Sequence, residues 1–296
     1  MSTHVPGLGA PLGDPRLSLR DLYVFQSPAD PGRTAVILTV DPDAGALHPD
    51  AVYRLGIDYT GDYRNDIAFS FVYSPPLDGA QTVDVYLAVG AQASTVAAVG
   101  SLIFGGVAVS LGAEPTVVES GGFTFAAGVR SDPSHADADV MAMIIELPNG
   151  YLSASPDVRI WGRCSLLSDG EWVHVDRVGH PSLGSDIATG DALTEYRAGE
   201  PNRDRERWMG PLIEVMARAG GYSREAAIAA IEAESTLPDV LTYNPSRAAE
   251  YPNGRTLSDD VVGHRRAFLT GRQKEPSGSN PPPGVHPEFP YLAPPG

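Results

Sequence analysis

Between Asp21 and Val178, short apolar runs rich in β-branched and aromatic residues alternate with clusters of Gly, Pro and Asp. The first runs are DLYVF, RTAVILTV, AVYRLGIDY and DIAFSFVY, and the clusters between them are SPADPG, DPDAGALHPD and TGDYRN. Runs of this length, bounded by turn residues at regular spacing, are typical of the strands of a β-sandwich or barrel. About ten to twelve such runs predict a mainly β fold in which two antiparallel sheets pack face to face.

After His180 the apolar residues recur at helical spacing instead. The segment DRERWMGPLIEVMARAG predicts one helix, and SREAAIAAIEAES predicts a second, for which Ser223 is the expected N-cap. A third helix is predicted to begin near Ser258, in SDDVVGHRRAFLTG, because carboxylates suit a helix N-terminus.

The last segment, EPSGSNPPPGVHPEFPYLAPPG, holds too many prolines for a helix or a central strand. We expect it to be either mobile or laid over the body in extended form. The predicted organisation is a β-sandwich with an N-terminal extended arm over 1–186, a C-terminal α-helical appendage over 187–275 and a Pro-rich tail over 276–296.

Charge narrows the class of partner. The chain has 296 residues, with 21 Lys and Arg against 37 Asp and Glu, a formal net charge of −16. A surface this acidic repels phosphate backbones and anionic lipids, which argues against nucleic-acid and membrane partners and favours a small-molecule substrate or ligand. Lys274 is the sole lysine, so a lysine nucleophile is effectively excluded.

Cysteine usage and hydropathy bear on location. The single Cys164 rules out an internal disulfide and a Cys-rich metal site, as is usual in a reducing compartment. The N-terminal residues have neither the basic nor the apolar region of a signal peptide, and no apolar run reaches the length of a membrane span. We therefore expect a cytoplasmic protein.

The run DYTGDYRND has two interpretations. It supplies oxygen ligands at the first, third, fifth and ninth positions of a calcium loop, namely Asp58, Thr60, Asp62 and Asp66. However, Tyr63 replaces the glycine expected after Asp62, and Phe69 stands where a calcium loop has an acid. The alternative is an ion-free hairpin in which Gly61 supplies a positive φ and the aspartates accept hydrogen bonds from turn amides.

Two polar clusters are candidate sites for acid-base chemistry. The first is the N-terminal group of His4, Asp14, Arg16 and Asp21, in which an imidazole beside carboxylates could titrate near neutrality or ligate a metal. In the alternative interpretation, Arg16 makes a bidentate pair with an aspartate and fixes the arm to the sandwich. The second cluster is the loop SDPSHADAD, where His135 lies among Asp132, Asp137 and Asp139. An ordinary polar turn is the alternative there.

The run VHVDRVGHP reads as a strand. Strict alternation places Val173, Val175 and Arg177 on one face of the strand and His174, Asp176 and Val178 on the other. Since the valines are expected to face inward, we expect Arg177 to be buried with a carboxylate partner and His174 to be exposed. His180 follows the strand directly, and we expect it to lie at the rim of a pocket. Further along, Arg255 with Asp259 and Asp260 is expected to lock the last helix onto the body, or else to clamp a substrate carboxylate.

Several segments, in one consistent order along nearly the whole chain, carry a family resemblance. They are the N-terminal run from His4 through Asp14-Pro15-Arg16 to Asp21-Leu22-Tyr23, the central IDYTGDYRNDIAFSF, the RVGHP element, and the C-terminal LPDVLTYNP and PNGRTLSDDVV. Together they resemble the actinobacterial branch of the domain-of-unknown-function family numbered 4331. The sequence departs from that pattern at Asp132-Pro133-Ser134, where the family has Asp-Pro-Phe. The resemblance implies an architecture rather than a chemistry.

These features lead to a first functional hypothesis, in which the protein is an enzyme that acts on a small organic molecule by acid-base chemistry. The reaction would be of isomerase, cyclase or lyase type, for instance in secondary-metabolite biosynthesis. Its pocket would lie between sandwich and helices, and no organic cofactor is expected because the common nucleophile, nucleotide and zinc motifs are missing from the sequence. The candidate catalytic residues are His4, Asp14, His135 and His180, and the candidate substrate-binding residues are Arg16, Tyr23, Asp132 and Arg177.

Two other hypotheses stay open. One is a non-catalytic small-ligand-binding sandwich, with Ca²⁺ at Asp58, Asp62 and Asp66 as a stabilising ion. The other is an interaction protein whose Pro-rich tail binds a partner as polyproline. The enzyme hypothesis predicts a cavity faced by a histidine that is hydrogen-bonded to a carboxylate. The binding hypothesis predicts an aromatic-lined groove without such a pair, and the third predicts a tail that does not pack on its own body.

Overall fold

The computed structural model describes residues 9–41, 46–134, 138–152, 157–273 and 285–296. Within them, twelve strands form two antiparallel sheets, which confirms the predicted sandwich. The five-stranded sheet has the order β1-β2-β9-β8-β7, with strands β1 Leu19–Gln26, β2 Arg33–Val40, β7 Val118–Ser120, β8 Phe123–Ser131 and β9 Asp139–Pro148.

The seven-stranded sheet has the order β11-β10-β3-β4-β5-β6. Its strands are β3 Ala51–Asp58, β4 Ile67–Tyr73, β5 Thr82–Val89, β6 Ser101–Ala108, β10 Val158–Ser168, β11 Glu171–Val178 and the short β12 Leu241–Tyr243. β12 pairs with the first three residues of β10, and β11 pairs with β10 from Gly162 onward.

The main core lies between the two sheets, because alternate side chains of each strand point inward. Aromatic rings make contact across the layer: Phe125 of the five-stranded sheet stacks on Phe71 and Phe104 of the other, with ring centroids 5.6 Å apart in both pairs. Full burial of one such side chain contributes about 1.5 to 3 kcal/mol to stability. The core therefore gives the sandwich its rigidity.

The outer face of the five-stranded sheet is also apolar, and the C-terminal part of the chain covers it. Tyr23, Ile37 and Ile144 on this face are buried against Leu257 and Tyr291. The described end of the Pro-rich tail, 285–296, is tied down by a hydrogen bond from the Ser131 amide to the Ala293 carbonyl of 3.1 Å. The prediction of a tail that stays off its own body is therefore wrong for these residues.

Five α-helices occur in the described residues, α1 Leu183–Ile187, α2 Asp191–Ala198, α3 Asp204–Gly220, α4 Arg224–Ala233 and α5 Val261–Thr270. They share a core of their own, which includes Leu193, Trp208, Leu212, Met216 and Phe268. The three predicted helices are confirmed, and Ser223 does cap α4 by accepting the Ala226 amide at 3.2 Å. In the part of the chain that the structure describes, no helix has both the length and the apolar character needed to span a membrane.

Two details of the helices differ from the prediction. α5 begins at Val261 instead of near Ser258, because Asp260 is its cap and accepts the Gly263 amide at 2.8 Å. α1 and α2 were not predicted, since they are short and lack a sustained apolar stripe.

The sandwich and the helices alternate along the chain. After α4, β12 joins the seven-stranded sheet, and the following segment crosses the outer face of the five-stranded sheet. There Val24 and Arg255 exchange two backbone hydrogen bonds, of 2.8 and 3.0 Å. The chain then returns to the helical core through α5. Residues 241–257, which fall in the predicted helical appendage, thus belong to the sandwich and its cover.

A buried ion pair fixes this crossing segment. The Arg255 guanidinium donates to the Asp21 carboxylate at 2.5 Å, and both side chains are 1% exposed. The guanidinium also lies 4.2 Å from the centroid of the Tyr23 ring. The expected network of Arg255 with Asp259 is therefore wrong, because Asp259 instead accepts the backbone amides of Tyr251 and Thr256.

Replacing Arg255 with Met should destabilise the protein by about 3 to 5 kcal/mol, because the Asp21 carboxylate then stays buried without its guanidinium. Arg247→Met is the matched control: its ion pair with Asp157 is exposed, and its loss should cost less than about 1 kcal/mol. Urea unfolding of the two variants measures the difference. Equal losses in both would show that the buried pair does not anchor the segment.

Candidate functional site

Of the four predicted catalytic residues, the structure describes Asp14 and His180, and these two lie in different surroundings. His4 and His135 lie outside the described residues. Asp14 caps a 3-10 turn, Pro15–Leu17, and its two carboxylate oxygens accept hydrogen bonds from the Arg16 guanidinium at 2.6 to 3.1 Å. These hydrogen bonds hold the pKa of Asp14 below its ordinary value. The Tyr53 hydroxyl donates to the Arg16 carbonyl at 2.5 Å. This is the geometry of the arm-fixing alternative.

The loop after β3 has the geometry of the hairpin alternative. Asp58 is fully buried, and its carboxylate accepts the amides of Gly61 at 2.6 Å and Tyr63 at 2.7 Å. Asp66 accepts two further turn amides, both at 2.9 Å, and Gly61 has the expected positive φ of 89°. Asp62 accepts the amide two residues on at 3.0 Å. Amide N–H groups that face the carboxylates would repel a cation, so calcium stays a prediction with no geometric support.

Metal ligation finds no other support either. In the residues that the structure describes, no group of three or more His, Cys, Asp or Glu side chains is placed to hold a metal ion.

Tyr23 and Asp132 are both buried in ion-pair networks. The ring of Tyr23 supports Arg255, and burial raises the pKa of its hydroxyl far above the ordinary value. Asp132 pairs with Arg20 at 2.9 Å and accepts the Ser134 amide and hydroxyl at 2.8 Å. Their contacts tie the start of β1 to the loop after β8.

A β-bulge in β11 determines which face of the sheet carries His174 and which carries Arg177. Cys164 pairs with Asp176 whereas Ser165 pairs with His174, so Val175 is the extra residue. The alternation therefore breaks at Val175, and Val173 is 45% exposed instead of inward. The bulge also brings His174 and Arg177 to the same face of the sheet.

On that face His174 is half-buried. Its Nδ1 lies 2.8 Å from the Ser165 hydroxyl and its Nε2 3.0 Å from the Glu200 carboxylate. The expectation of an exposed His174 is therefore wrong. Arg177 is buried and pairs with Asp204 through two hydrogen bonds of 3.1 and 2.8 Å, which confirms the predicted carboxylate partner.

His180 is buried within the structure instead of placed at an open edge, with 4% of the residue exposed. Its Nε2 lies 3.2 Å from the Ser235 carbonyl, which can only accept a hydrogen bond, and its Nδ1 lies 2.8 Å from the Tyr251 hydroxyl. Burial lowers the pKa of His180 to about 4. A neutral ring with both nitrogens engaged positions its neighbours and is a poor general base.

A polar cavity of about 90 Å³ lies beside His180, where the start of β1 and the end of β11 meet α1 and α2. Its walls include Asp176, Arg197 and the serines 182 and 185. This is the junction of sandwich and helices at which a pocket was expected. A space of this size holds several waters or a molecule with a handful of heavy atoms.

Asp176 is the group of this cavity whose pKa is shifted towards neutral pH. Its Oδ2 accepts the Leu19 amide at 2.8 Å, and its Oδ1 lies 3.5 Å from Nε of Arg197. Burial raises the pKa of Asp176 to about 7, against the opposing effect of Arg197 and the Leu19 amide. Both protonation states of the carboxyl are then populated near neutral pH, as a general acid or base requires.

Sequence reasoning placed Asp176 on the strand but did not select it. The available signal was a carboxylate between the valines 175 and 178, in the half of the strand that is buried. Arg197 is distant in sequence and lies on α2, which was not predicted.

A hydrogen-bonded network fixes α2 against β11 behind this cavity. Asp204 accepts the Asp239 amide at 2.8 Å in addition to its bonds with Arg177. The Tyr196 hydroxyl donates to Asp239 at 2.7 Å, and the Arg177 guanidinium lies 4.0 Å from the centroid of the Tyr196 ring. Arg177 is thus engaged by Asp204, and the guanidinium of Arg197 lies 3.5 Å from the Asp176 carboxyl.

Comparison of the chain with protein-family models, with curated proteins and with solved structures finds no match. The family resemblance therefore stays a prediction, and the functional argument depends on the geometry of the site.

Asp176→Asn should change how stability depends on pH. The pKa of Asp176 is raised from 3.8 to about 7 in the folded protein, so its ionisation reduces stability as pH rises between these values. The variant should therefore gain stability relative to wild type by on the order of 1 kcal/mol per pH unit across this range. Urea unfolding at pH 4.5 and 7.5 measures this gain. Asp169→Asn, at an exposed turn, is the control. A difference from wild type that is equal at both pH values would contradict the raised pKa.

Proposed function

We propose that the protein is an enzyme that transfers a proton to or from a small polar molecule in the cavity between the sandwich and the helices, with Asp176 as general acid and base. The observation that carries this proposal is the buried Asp176 carboxyl, which lines the cavity and whose pKa is raised to about 7. In this proposal Asp176 takes the catalytic role expected of His180. A cytoplasmic location, consistent with the buried free thiol of Cys164, is part of the proposal.

The substrate class follows from the groups around the carboxyl. Arg197 supplies a guanidinium, 17% exposed, whose Nη1 donates to the Gly9 carbonyl at 3.0 Å and whose positive charge attracts a carboxylate. The hydroxyls of Ser182 and Ser185 line the same space, and the volume of about 90 Å³ limits the ligand to a few heavy atoms. A carboxylic acid of three to five carbons with an acidic C–H next to a carbonyl fits these requirements.

The reaction step is a reversible proton transfer. The ionised Asp176 carboxylate accepts a proton from the carbon next to the carbonyl, which leaves an enolate and a neutral carboxylic acid. If the enolate is conjugated with a further carbon–carbon double bond, return of the proton to the γ carbon gives an isomerisation, and loss of a leaving group from the β carbon of the enolate gives an elimination. Arg197 stabilises the charge of the substrate during the transfer.

Hydrogen-deuterium exchange tests this chemistry directly. Pyruvate, acetoacetate and 2-oxobutyrate are incubated with the protein in D₂O, and NMR follows the loss of the exchangeable C–H signals. The wild-type protein should accelerate exchange of at least one of them, and Asp176→Asn should lower the rate about 10²-fold or more. Asp169→Asn is the control and should keep the wild-type rate. Exchange at the uncatalysed rate with all three acids, or an unchanged rate in Asp176→Asn, would overturn the proposal.

A second cavity favours the binding hypothesis as an alternative function. It has about 420 Å³ and lies between the outer face of the five-stranded sheet and the described tail, with Phe25, Ala249, Leu257 and Val285 in its walls. A mostly apolar cavity of this volume is within the range that small-molecule sites occupy.

Filling this cavity should abolish binding of an apolar probe. Ala249→Trp places an indole in the space that Ala249 borders, and the fluorescent probe 1-anilinonaphthalene-8-sulfonate should then bind at least about tenfold more weakly. Ala113→Trp, at an exposed position elsewhere, is the matched control. Equal binding by wild type and both variants would exclude this cavity as the site of the probe.

A further inference from the structure

A third cavity, of about 330 Å³, lies between α4 and α5. Three alanines and a glycine leave the space open, namely Ala230, Ala233, Ala267 and Gly271. The rings of Tyr222 and Phe268 form aromatic walls, and the Tyr222 hydroxyl is engaged because it donates to the Phe268 carbonyl at 2.9 Å. The walls are therefore mostly apolar.

The polar groups of this cavity include a histidine and a carboxylate that are hydrogen-bonded to each other. His264 Nε2 lies 2.8 Å from a carboxylate oxygen of Glu234, and both residues line the cavity. This meets the geometric criterion that the sequence suggested for an enzyme, but with a pair that sequence reasoning did not select.

The hydrogen bond with Glu234 determines which ring nitrogen of neutral His264 carries the hydrogen. An ionised carboxylate can only accept a hydrogen bond, so Nε2 carries the hydrogen and Nδ1 is left as an acceptor. Within the described ranges, no hydrogen bond to His264 Nδ1 is formed. The ring is held in place by the edge of Tyr251, whose centroid lies 4.8 Å away.

We propose that this cavity is a second small-molecule site, which binds a neutral phenol whose hydroxyl donates to Nδ1 of His264. A flat ring suits the aromatic and alanine walls, and the volume lies in the range of small-molecule sites. Glu234 and Arg272 both line the cavity, so their opposite charges favour neither an anionic nor a cationic ligand, and a neutral hydroxyl supplies the donor that Nδ1 requires. The site is independent of the proton transfer proposed for Asp176.

A pair of probes that differ by one hydrogen-bond donor tests the proposal. 4-Methylphenol and 4-methylanisole have similar rings, but the methyl ether cannot donate. Titrations of the 296-residue protein, followed by two-dimensional NMR, should show that 4-methylphenol binds about tenfold more tightly, the value expected for one hydrogen bond. The shifted signals should belong to residues around the cavity, such as Ala230 and Ala267.

His264→Met removes the acceptor at similar size, so it should abolish the preference for 4-methylphenol while 4-methylanisole binds as before. Glu232→Gln, on the exposed side of α4, is the control and should keep the preference. The comparison of the two probes on the wild-type protein does not depend on whether the variant folds. Equal binding of the two probes to wild type, shifts at residues away from the cavity, or a preference that persists in His264→Met would each overturn the proposal.

Discussion

The five-stranded sheet is apolar on both faces, and this constraint determines how the rest of the chain is arranged. Its inner face packs on the second sheet, and its outer face carries Tyr23, Ile37 and Ile144, which would be unstable in water. The chain covers that face with the segment around Leu257 and with the tail around Tyr291. The helices can therefore not form a separate C-terminal block, because the chain must leave them to cross the sheet and then return.

Buried arginines join the covering layers to the sheets, and the positive charge of each is compensated by different partners. Arg54, Arg163 and Arg177 are directly opposite one another on β3, β10 and β11. Arg177 is paired with Asp204, and Arg163 lies 3.1 Å from Glu200. Arg54 instead donates to the carbonyls of Thr95, Val96 and Ala97, and its burial and the nearby Arg163 lower its pKa to about 10. Transfer of a charge from water to the interior is costly unless the charge finds partners there. Each of these arginines therefore holds the loop or helix end that supplies its partners at a fixed position.

Local signals predicted the strands and the Ser223 cap, because each depends on residues close together in sequence. The need of a buried guanidinium for a carboxylate was also predicted for Arg177, but the identity of that carboxylate, Asp204, was not. The partner of Arg255 could not be predicted in this way. Asp259 and Asp260 stand nearby in the sequence, whereas the true partner, Asp21, is 234 residues away. The bulge at Val175 could not be predicted either, because one extra residue does not change the composition of a strand. It does move the residues that precede it to the opposite face of the sheet.

The same limits explain why the proposed catalytic residue is Asp176 instead of a histidine. Seven histidines in an acidic chain draw attention as acid-base groups, yet their usefulness depends on which ring nitrogen is free. In His180 both are engaged, by Ser235 and Tyr251. Tyr251 also contacts the ring of His264, so His180 and Tyr251 stand between the cavity of Asp176 and the cavity of His264. A proton could pass between the cavities through His180 only if its ring became charged, and burial opposes that by lowering its pKa to about 4. The two cavities therefore hold chemically independent sites.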